Sequence, residues 1–208
     1  MLIGVGLGPG DPGLLTLKAV NVLKNSDEVI APGRLAYNIV RRYCNPRLVD
    51  IPMNNKADEV ISSLAEEFCR RCKSEDIVFA AIGDIMVYST FQHIVEEIKE
   101  IDSSIKIITI PGISIFTSIF SKIDTFVDQP MLITTQKKIS EDYAGGSGEK
   151  VIVVLKVKKP WDIIDDLKKY GYNDFVLVKR AYMDDEEILY NRDIPKESDY
   201  FTTLVGFR

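Results

Sequence analysis

The chain has one histidine, one tryptophan and three cysteines in 208 residues. An odd, small number of cysteines excludes a disulfide framework. Cys69 and Cys72 form a C-x-x-C, but a zinc site needs a second ligand pair and only Cys44 and His93 are left to supply it. Both thiols follow the helical spacing of Val60, Ile61, Leu64, Ala65 and Phe68, so they read as structural side chains on a core face. There is no excess of positive charge: 26 Lys and Arg stand against 31 Asp and Glu, a net charge of −5. With a pI of about 5.1, general attraction to nucleic acid or to an anionic membrane is excluded, and only a local basic pocket stays open. No apolar run reaches the roughly 18 residues of a membrane-spanning helix. No basic stretch precedes an apolar one at the start, and the expected location is the cytoplasm. No G-x-x-x-x-G-K-[ST] occurs, which removes support for nucleoside triphosphate chemistry.

What is present is an ordinary globular composition, 46% apolar and 27% charged, enough for one large domain or two of about 100 residues. Short apolar runs alternate with amphipathic stretches in the first half. Leu2 to Leu7, Glu28 to Ala31, Arg47 to Ile51, Asp76 to Ile82 and Ile105 to Ile110 read as strands. Leu14 to Lys24, Leu35 to Tyr43, Asp58 to Lys73 and Tyr88 to Ile101 read as helices. Such alternation predicts βαβ units and a mainly parallel, doubly wound sheet. Past Pro111-Gly112 comes an apolar helix, Ile113 to Phe120. Then Met131 to Thr135, Val151 to Val157, Asp174 to Arg180, Glu187 to Tyr190 and Tyr200 to Phe207 read as strands, with one clear helix, Trp161 to Tyr170. Strands in excess of helices require some antiparallel pairing, hence a mixed sheet. The expected organisation is two α/β domains, 1–111 and 123–208, joined through a linker helix at 112–122. Gly145, Gly146, Ser147 and Gly148 place a surface loop within Glu141 to Lys150.

Three glycine loops follow three strands. The first is Gly4-Val5-Gly6-Leu7-Gly8-Pro9-Gly10-Asp11-Pro12. A dinucleotide fingerprint fails when counted from Gly4, which ends on Pro9, or from Gly6, which ends on Asp11. Pro9 and Pro12 also remove two N–H groups that a pyrophosphate would need, and Asp11 adds a negative charge. The second is Ile82-Gly83-Asp84-Ile85-Met86-Val87-Tyr88, where Gly83 permits close approach to a ligand and Asp84 reads equally as a helix N-cap or a ligand acceptor. The third is Ile110-Pro111-Gly112-Ile113-Ser114-Ile115-Phe116. In a parallel sheet the carboxyl ends of the strands form the ligand crevice, so three such loops favour one shared site over three unrelated turns.

Together, Val5 to Pro12 with Leu14-Leu15-Thr16-Leu17-Lys18-Ala19, the Gly83-Asp84 loop with Tyr88, and Pro111-Gly112-Ile113-Ser114 resemble the tetrapyrrole methylases, the S-adenosylmethionine-dependent methyltransferases of corrin and sirohaem biosynthesis. The resemblance spans nearly the whole chain. Gly83 to Phe91, Ser114 to Thr117, Pro52-Met53, Lys179-Arg180-Ala181 and Glu186-Glu187 look most like the branch that methylates precorrin-2, or its cobalt form, at carbon 20. Branches acting at carbon 11 or 5, and diphthamide-type protein methylases, share the layout; a non-catalytic binding module is the alternative outside the class. The chain departs from the family at Ile85, where proline is usual, and at Gly13, where an acidic residue is frequent.

The resemblance implies S-adenosylmethionine folded into a cleft between the domains, against Pro9, Gly83, Asp84, Val87, Ser114 and Ile115 on one side and Lys156 and Ala181 on the other. It also implies a homodimer and a tetrapyrrole substrate (precorrin-2 or cobalt-factor II); with the charge balance and ligand count above, no resident metal and no nucleic-acid or membrane partner is expected. Methyl transfer from a sulfonium to an electron-rich carbon needs alignment more than activation. Tyr88 is the candidate polar group at the reacting centre; its plain alternative is core packing. Arg34, Arg41, Arg42 and Lys56 are candidates for the substrate's carboxylates, although Arg41 and Arg42 read more simply as a solvated face. His93 reads as a packing or surface residue.

Overall fold

A computed structural model describes residues 1–52, 56–142 and 148–208, with the backbone alone described for 140–142. Met53 and the Gly145-Gly146-Ser147 part of the expected loop lie outside the described residues. The chain divides into two compact units, Met1–Ser114 and Ile115–Arg208. Among the described residues no helix is long and apolar enough to cross a membrane.

The first unit is a five-stranded, wholly parallel sheet in the order β3-β2-β4-β1-β5. Its strands are β1 (Leu2–Gly6), β2 (Glu28–Pro32), β3 (Arg47–Val49), β4 (Ile77–Ala81) and β5 (Ile107–Ile110). Helices α1 (Leu17–Asn25), α2 (Gly33–Val40), α3 (Ala57–Arg71) and α4 (Phe91–Ile101) connect them. Successive residues of a strand point to opposite faces, and the two faces have separate cores. Leu2, Ile30, Ile77 and Phe79 pack with Ile61, Leu64, Phe68 and Cys69 of α3 and Phe91, Ile94 and Ile98 of α4. Ile3, Val5, Val29, Ala31, Val78 and Ala80 pack with Ala19 and Leu23 of α1 and Ala36 and Val40 of α2. Both faces of β1 and β4 are therefore apolar, which is why these segments read as continuous apolar runs.

Gly4 gives up its side chain to this packing: a Cβ there would stand 2.5 Å from the Phe91 ring and 3.0 Å from Ile85. An ion-pair network ties β2, β3 and α3 together. Arg47 reaches Glu28 (2.9 Å) and Glu67 (2.7 Å), while Arg71 reaches Glu28 (2.5 Å), Glu67 (2.8 Å) and Glu75.

Two helices start later than their apolar spacing predicts. The oxygen of Thr16 accepts the Ala19 N–H at 3.1 Å and caps α1, so the preceding residues form a separate 3₁₀ turn over Pro12–Leu14. Tyr88 lies ahead of α4 rather than in it, with φ +49.

In the second unit, α5 (Ile115–Lys122) leads into β6 (Met131–Thr135), α6 (Gln136–Asp142), β7 (Val151–Leu155), α7 (Pro160–Lys169), β8 (Asp174–Lys179), β9 (Glu187–Tyr190) and β10 (Thr202–Phe207). The sheet order is β6-β7-β10-β8-β9, parallel only between β6 and β7. One face buries Ile152, Val154, Phe175, Leu177 and Leu204 against Ile163, Ile164 and Leu167 of α7. Proline at the first position of α7 suits a residue with no N–H to leave unpaired. The helix α6 was not expected from the sequence. Its stretch from Gln136 to Asp142 carries a single apolar residue, Ile139, so no amphipathic period reveals it.

Candidate functional site

The carboxyl ends of β1, β4 and β5 are neighbours because β1 lies between the other two strands. The first two of their loops are bonded to each other through the backbone, and the third packs against both. Gly8 N–H donates to the Gly83 carbonyl (3.2 Å) and Gly83 N–H returns a bond to the Gly8 carbonyl (2.7 Å). Gly6 closes the contact with the third loop: a Cβ on it would stand 2.5 Å from the Gly112 nitrogen and 2.7 Å from the Gly83 carbonyl oxygen. Gly6 and Gly112 are thus required by close approach. Gly83 differs, with φ +81 and open space where a Cβ would point. Its backbone is approachable from outside, the property a ligand needs and a packed turn does not.

Asp84 is engaged by the loops themselves. It does not cap α4; its Oδ1 accepts the Met86 N–H at 2.8 Å and its Oδ2 accepts the Gly112 N–H at 2.9 Å. One carboxylate therefore shapes the second loop and fastens it to the third, across the end of β1. The Asx turn it makes leaves Met86 67% and Val87 37% exposed, and Ile113 of the third loop is also 37% exposed. All three belong to the second and third loops. Ile85, where the resembling family usually has proline, is 1% exposed and fills the space left by Gly4.

Asp11 caps the 3₁₀ turn by accepting the Gly13 N–H at 2.7 Å. Counted from Gly8, the string Gly8-x-Gly10-x-x-Gly13 does fit a dinucleotide fingerprint. Yet Gly13 sits inside that 3₁₀ turn and α1 begins only at Leu17, so no helix N-terminus follows to receive a pyrophosphate.

Of the residues singled out by sequence, the first unit places Pro9, Gly83, Asp84, Val87 and Ser114 on the loops that follow β1, β4 and β5. Ile115 opens α5. In the second unit, β7 and β8 both run antiparallel to β10, and the start of β10 lies between their ends. Val157 N–H donates to the Thr202 carbonyl (3.0 Å) and Arg180 N–H to the Phe201 carbonyl (2.7 Å). Lys156 and Ala181 are thereby brought to one end of the sheet, on either side of its central strand. Lys156, Arg180 and Tyr182 all have left-handed backbone, φ +60, +51 and +64. Non-glycine residues adopt it only when their surroundings impose it. Lys156 also lies over the Tyr200 ring, 5.3 Å from its centroid.

Tyr88 is half-buried, between the second loop and the start of α4. Arg34, Arg41 and Arg42 are exposed and make no ion pair among the described residues; Arg34 is the second residue of α2, which follows β2 directly on the loop-bearing rim of the sheet. His93 is a surface residue 3.4 Å from Glu96. Cys69 and Cys72 are buried in the core beneath α3, and burial pushes the Cys72 thiol up to about 11. Among the described residues no group of His, Cys, Asp and Glu is arranged to hold a metal ion.

The model of the tetrapyrrole (corrin/porphyrin) methylases matches residues 1–192. A probable cobalt-precorrin-2 C(20)-methyltransferase of Methanocaldococcus jannaschii is 31% identical over 97% of this chain and 94% of its own length. A cobalt-precorrin-4 C(11)-methyltransferase of the same organism is 26% identical over 90% of this chain and 77% of its own. Among solved structures, a uroporphyrin-III C-methyltransferase of Thermus thermophilus, complexed with S-adenosylhomocysteine, superposes with a TM-score of 0.73 at 20% identity. That superposition covers 100% of this chain and 97% of the other. The glycine loops on the sheet rim thus accompany whole-chain similarity in sequence and fold, and the chain belongs to the tetrapyrrole (corrin/porphyrin) methylases, a family of S-adenosylmethionine-dependent methyltransferases.

Proposed function

We propose that this protein methylates carbon 20 of precorrin-2 or of its cobalt form, in cobalamin biosynthesis, with S-adenosylmethionine as donor. The observation that carries the donor site is the open, left-handed backbone of Gly83 in a rim otherwise closed by Gly6 and Gly112. The substrate and position are supported by similarity along 97% of the chain to a relative bearing that description. In this reading Pro9, Gly83, Asp84, Val87, Ser114, Ile115, Lys156 and Ala181 form the donor site. Much of the recognition falls to backbone groups, with Asp84 holding the Gly112 amide in place.

The donor supplies an activated methyl on sulfur. The chain's task is to align it with a nucleophilic ring carbon, which in the best intramolecular analogues accounts for about 7–11 kcal/mol of barrier. Met86, Val87 and Ile113 present apolar surface that keeps water from the reacting atoms. Tyr88 is the polar group offered to the reacting centre, and Arg34 is a cation offered to the carboxylates of the ring.

The reading includes a reducing cytoplasmic setting, which three free cysteines suit. It also includes a homodimer, whose contacts would cover apolar side chains such as Leu17 and Phe126, 91% and 98% exposed; sedimentation tests this. Calorimetric titration with S-adenosylhomocysteine and mass analysis after incubation with donor and either substrate test the activity. Binding with addition of one methyl is expected. Binding without turnover would favour a non-catalytic module, and absence of binding would reject the methylase reading.

A further inference from the structure

Ala181 is 5% exposed and lies between two residues in the left-handed region, Arg180 and Tyr182. Something must hold this backbone. Arg180 is tied to Asp199 by its Nε (2.8 Å) and to Asp185, and its N–H is taken by the Phe201 carbonyl. Tyr182 is held by a different arrangement that runs to α5. Its N–H donates to Glu186 Oε2 at 2.6 Å, and its hydroxyl donates to the Ser118 carbonyl at 2.8 Å. The same Glu186 oxygen pairs with Lys122 Nζ at 3.0 Å, and that ammonium stands 4.2 Å from the centre of the Tyr182 ring. Glu186 and Lys122 are only 21% and 28% exposed, so solvent screens the pair less than an open surface pair.

We propose that Glu186 is a positioning residue for the methyl donor. It fixes the Ala181 segment to α5, the helix that begins at Ile115, and so holds two expected donor contacts in one arrangement without touching the donor itself. The proposal rests on the methylase reading of the site. Its physical content is a population. A left-handed non-glycine residue is disfavoured by roughly five- to hundredfold unless its surroundings impose it. Without Glu186, Tyr182 relaxes, and donor affinity falls by the fraction of molecules that keep the competent backbone. The carboxylate is suited to this because one oxygen serves both the amide and the ammonium, so neither Tyr182 nor Lys122 can move away alone.

The test is calorimetric titration of S-adenosylhomocysteine into the full chain, well below its unfolding temperature, for the parent, Glu186→Ala, Glu186→Gln and Tyr182→Phe. Glu186→Ala should bind about tenfold or more weakly. Glu186→Gln keeps an acceptor for the Tyr182 amide but loses the negative charge facing Lys122, and should fall between alanine and the parent. Tyr182→Phe loses the bond to Ser118 and should weaken binding by about two- to tenfold. In turnover the KM for S-adenosylmethionine should rise while kcat is retained, a split that a merely structural residue would not give. If the parent binds and Glu186→Ala matches it within about twofold while folded, the proposal is overturned and the methylase reading stands. If Glu186→Ala does not fold, Tyr182→Phe decides, and unchanged affinity there overturns the proposal. A parent that binds no S-adenosylhomocysteine overturns the methylase reading and this proposal with it.

Discussion

Replacing Asp84 by alanine removes two hydrogen bonds of unequal consequence. The Met86 amide, 2.8 Å from Oδ1, lies in an exposed turn and can turn to water; the Gly112 amide, 2.9 Å from Oδ2, is partly buried against Gly6 and Gly83. A bond to a charged acceptor contributes about 1.5–3 kcal/mol, and a buried donor left unpaired costs about as much. The expected loss is about 2–3 kcal/mol, nearly all of it from Gly112. For a chain of 208 residues, that corresponds to roughly 4–12 °C in Tm. Asp84→Asn should be no better, because an amide oriented to serve Met86 points its NH2 at the Gly112 N–H. Thermal unfolding gives the magnitude and amide hydrogen exchange gives the location. Exchange should rise at Gly112 and Met86 and stay unchanged at Phe91, the first residue of α4. A Tm within about 1 °C of the parent, or faster exchange confined to the first turn of α4, would refute the bridging role and restore a helix cap.

Gly6→Ala should destabilise by about 3 kcal/mol or more, because its Cβ meets fixed backbone of two other strands' loops. Gly33→Ala, at φ +81 with open space around it, should cost only about 1 kcal/mol of backbone strain; chemical denaturation of the two variants gives the contrast. For Glu67, partial burial raises the carboxyl pKa, but hydrogen bonds from Arg71 and Arg47 outweigh it and leave the group below its ordinary value. A depressed carboxylate stabilises above its unfolded pKa and loses that contribution as pH falls through the folded value. Urea midpoints should therefore drop on acidification below about pH 4.5, and Glu67→Gln should be weaker at neutral pH with a shallower acid decline. Tyr88→Phe should keep donor binding and lower the rate of methylation; an unchanged rate in a folded variant would remove the hydroxyl from the chemistry.

The two sheets were legible because their strands carry information locally. Leu2 and Ile3, or Val78 and Phe79, feed different cores, and uninterrupted apolar runs between amphipathic helices can hardly mean anything but a covered parallel sheet. The three glycine loops were legible as neighbours for a similar reason, since strand direction alone puts them on one rim. What the sequence concealed depends on contacts distant along the chain. Asp84 reads equally as a cap or a ligand acceptor, and nothing local shows that the Gly112 amide, 28 residues away, is its partner. Glu186 is visible in the sequence only as part of the Glu186-Glu187 resemblance, and its contacts come from Lys122 and from the left-handed Tyr182. The late start of α4 was hidden because Tyr88 falls in phase with Phe91 and Val95, although its backbone lies outside the helical region.

The most direct test of the account is the position of a transferred methyl. Carbon-13 NMR of the product formed from methyl-labelled S-adenosylmethionine and precorrin-2 or cobalt-factor II should show one new methyl resonance, assigned to carbon 20. A label at carbon 11 or 5, or a ring recovered unlabelled after incubation with a protein that binds S-adenosylhomocysteine, would contradict it.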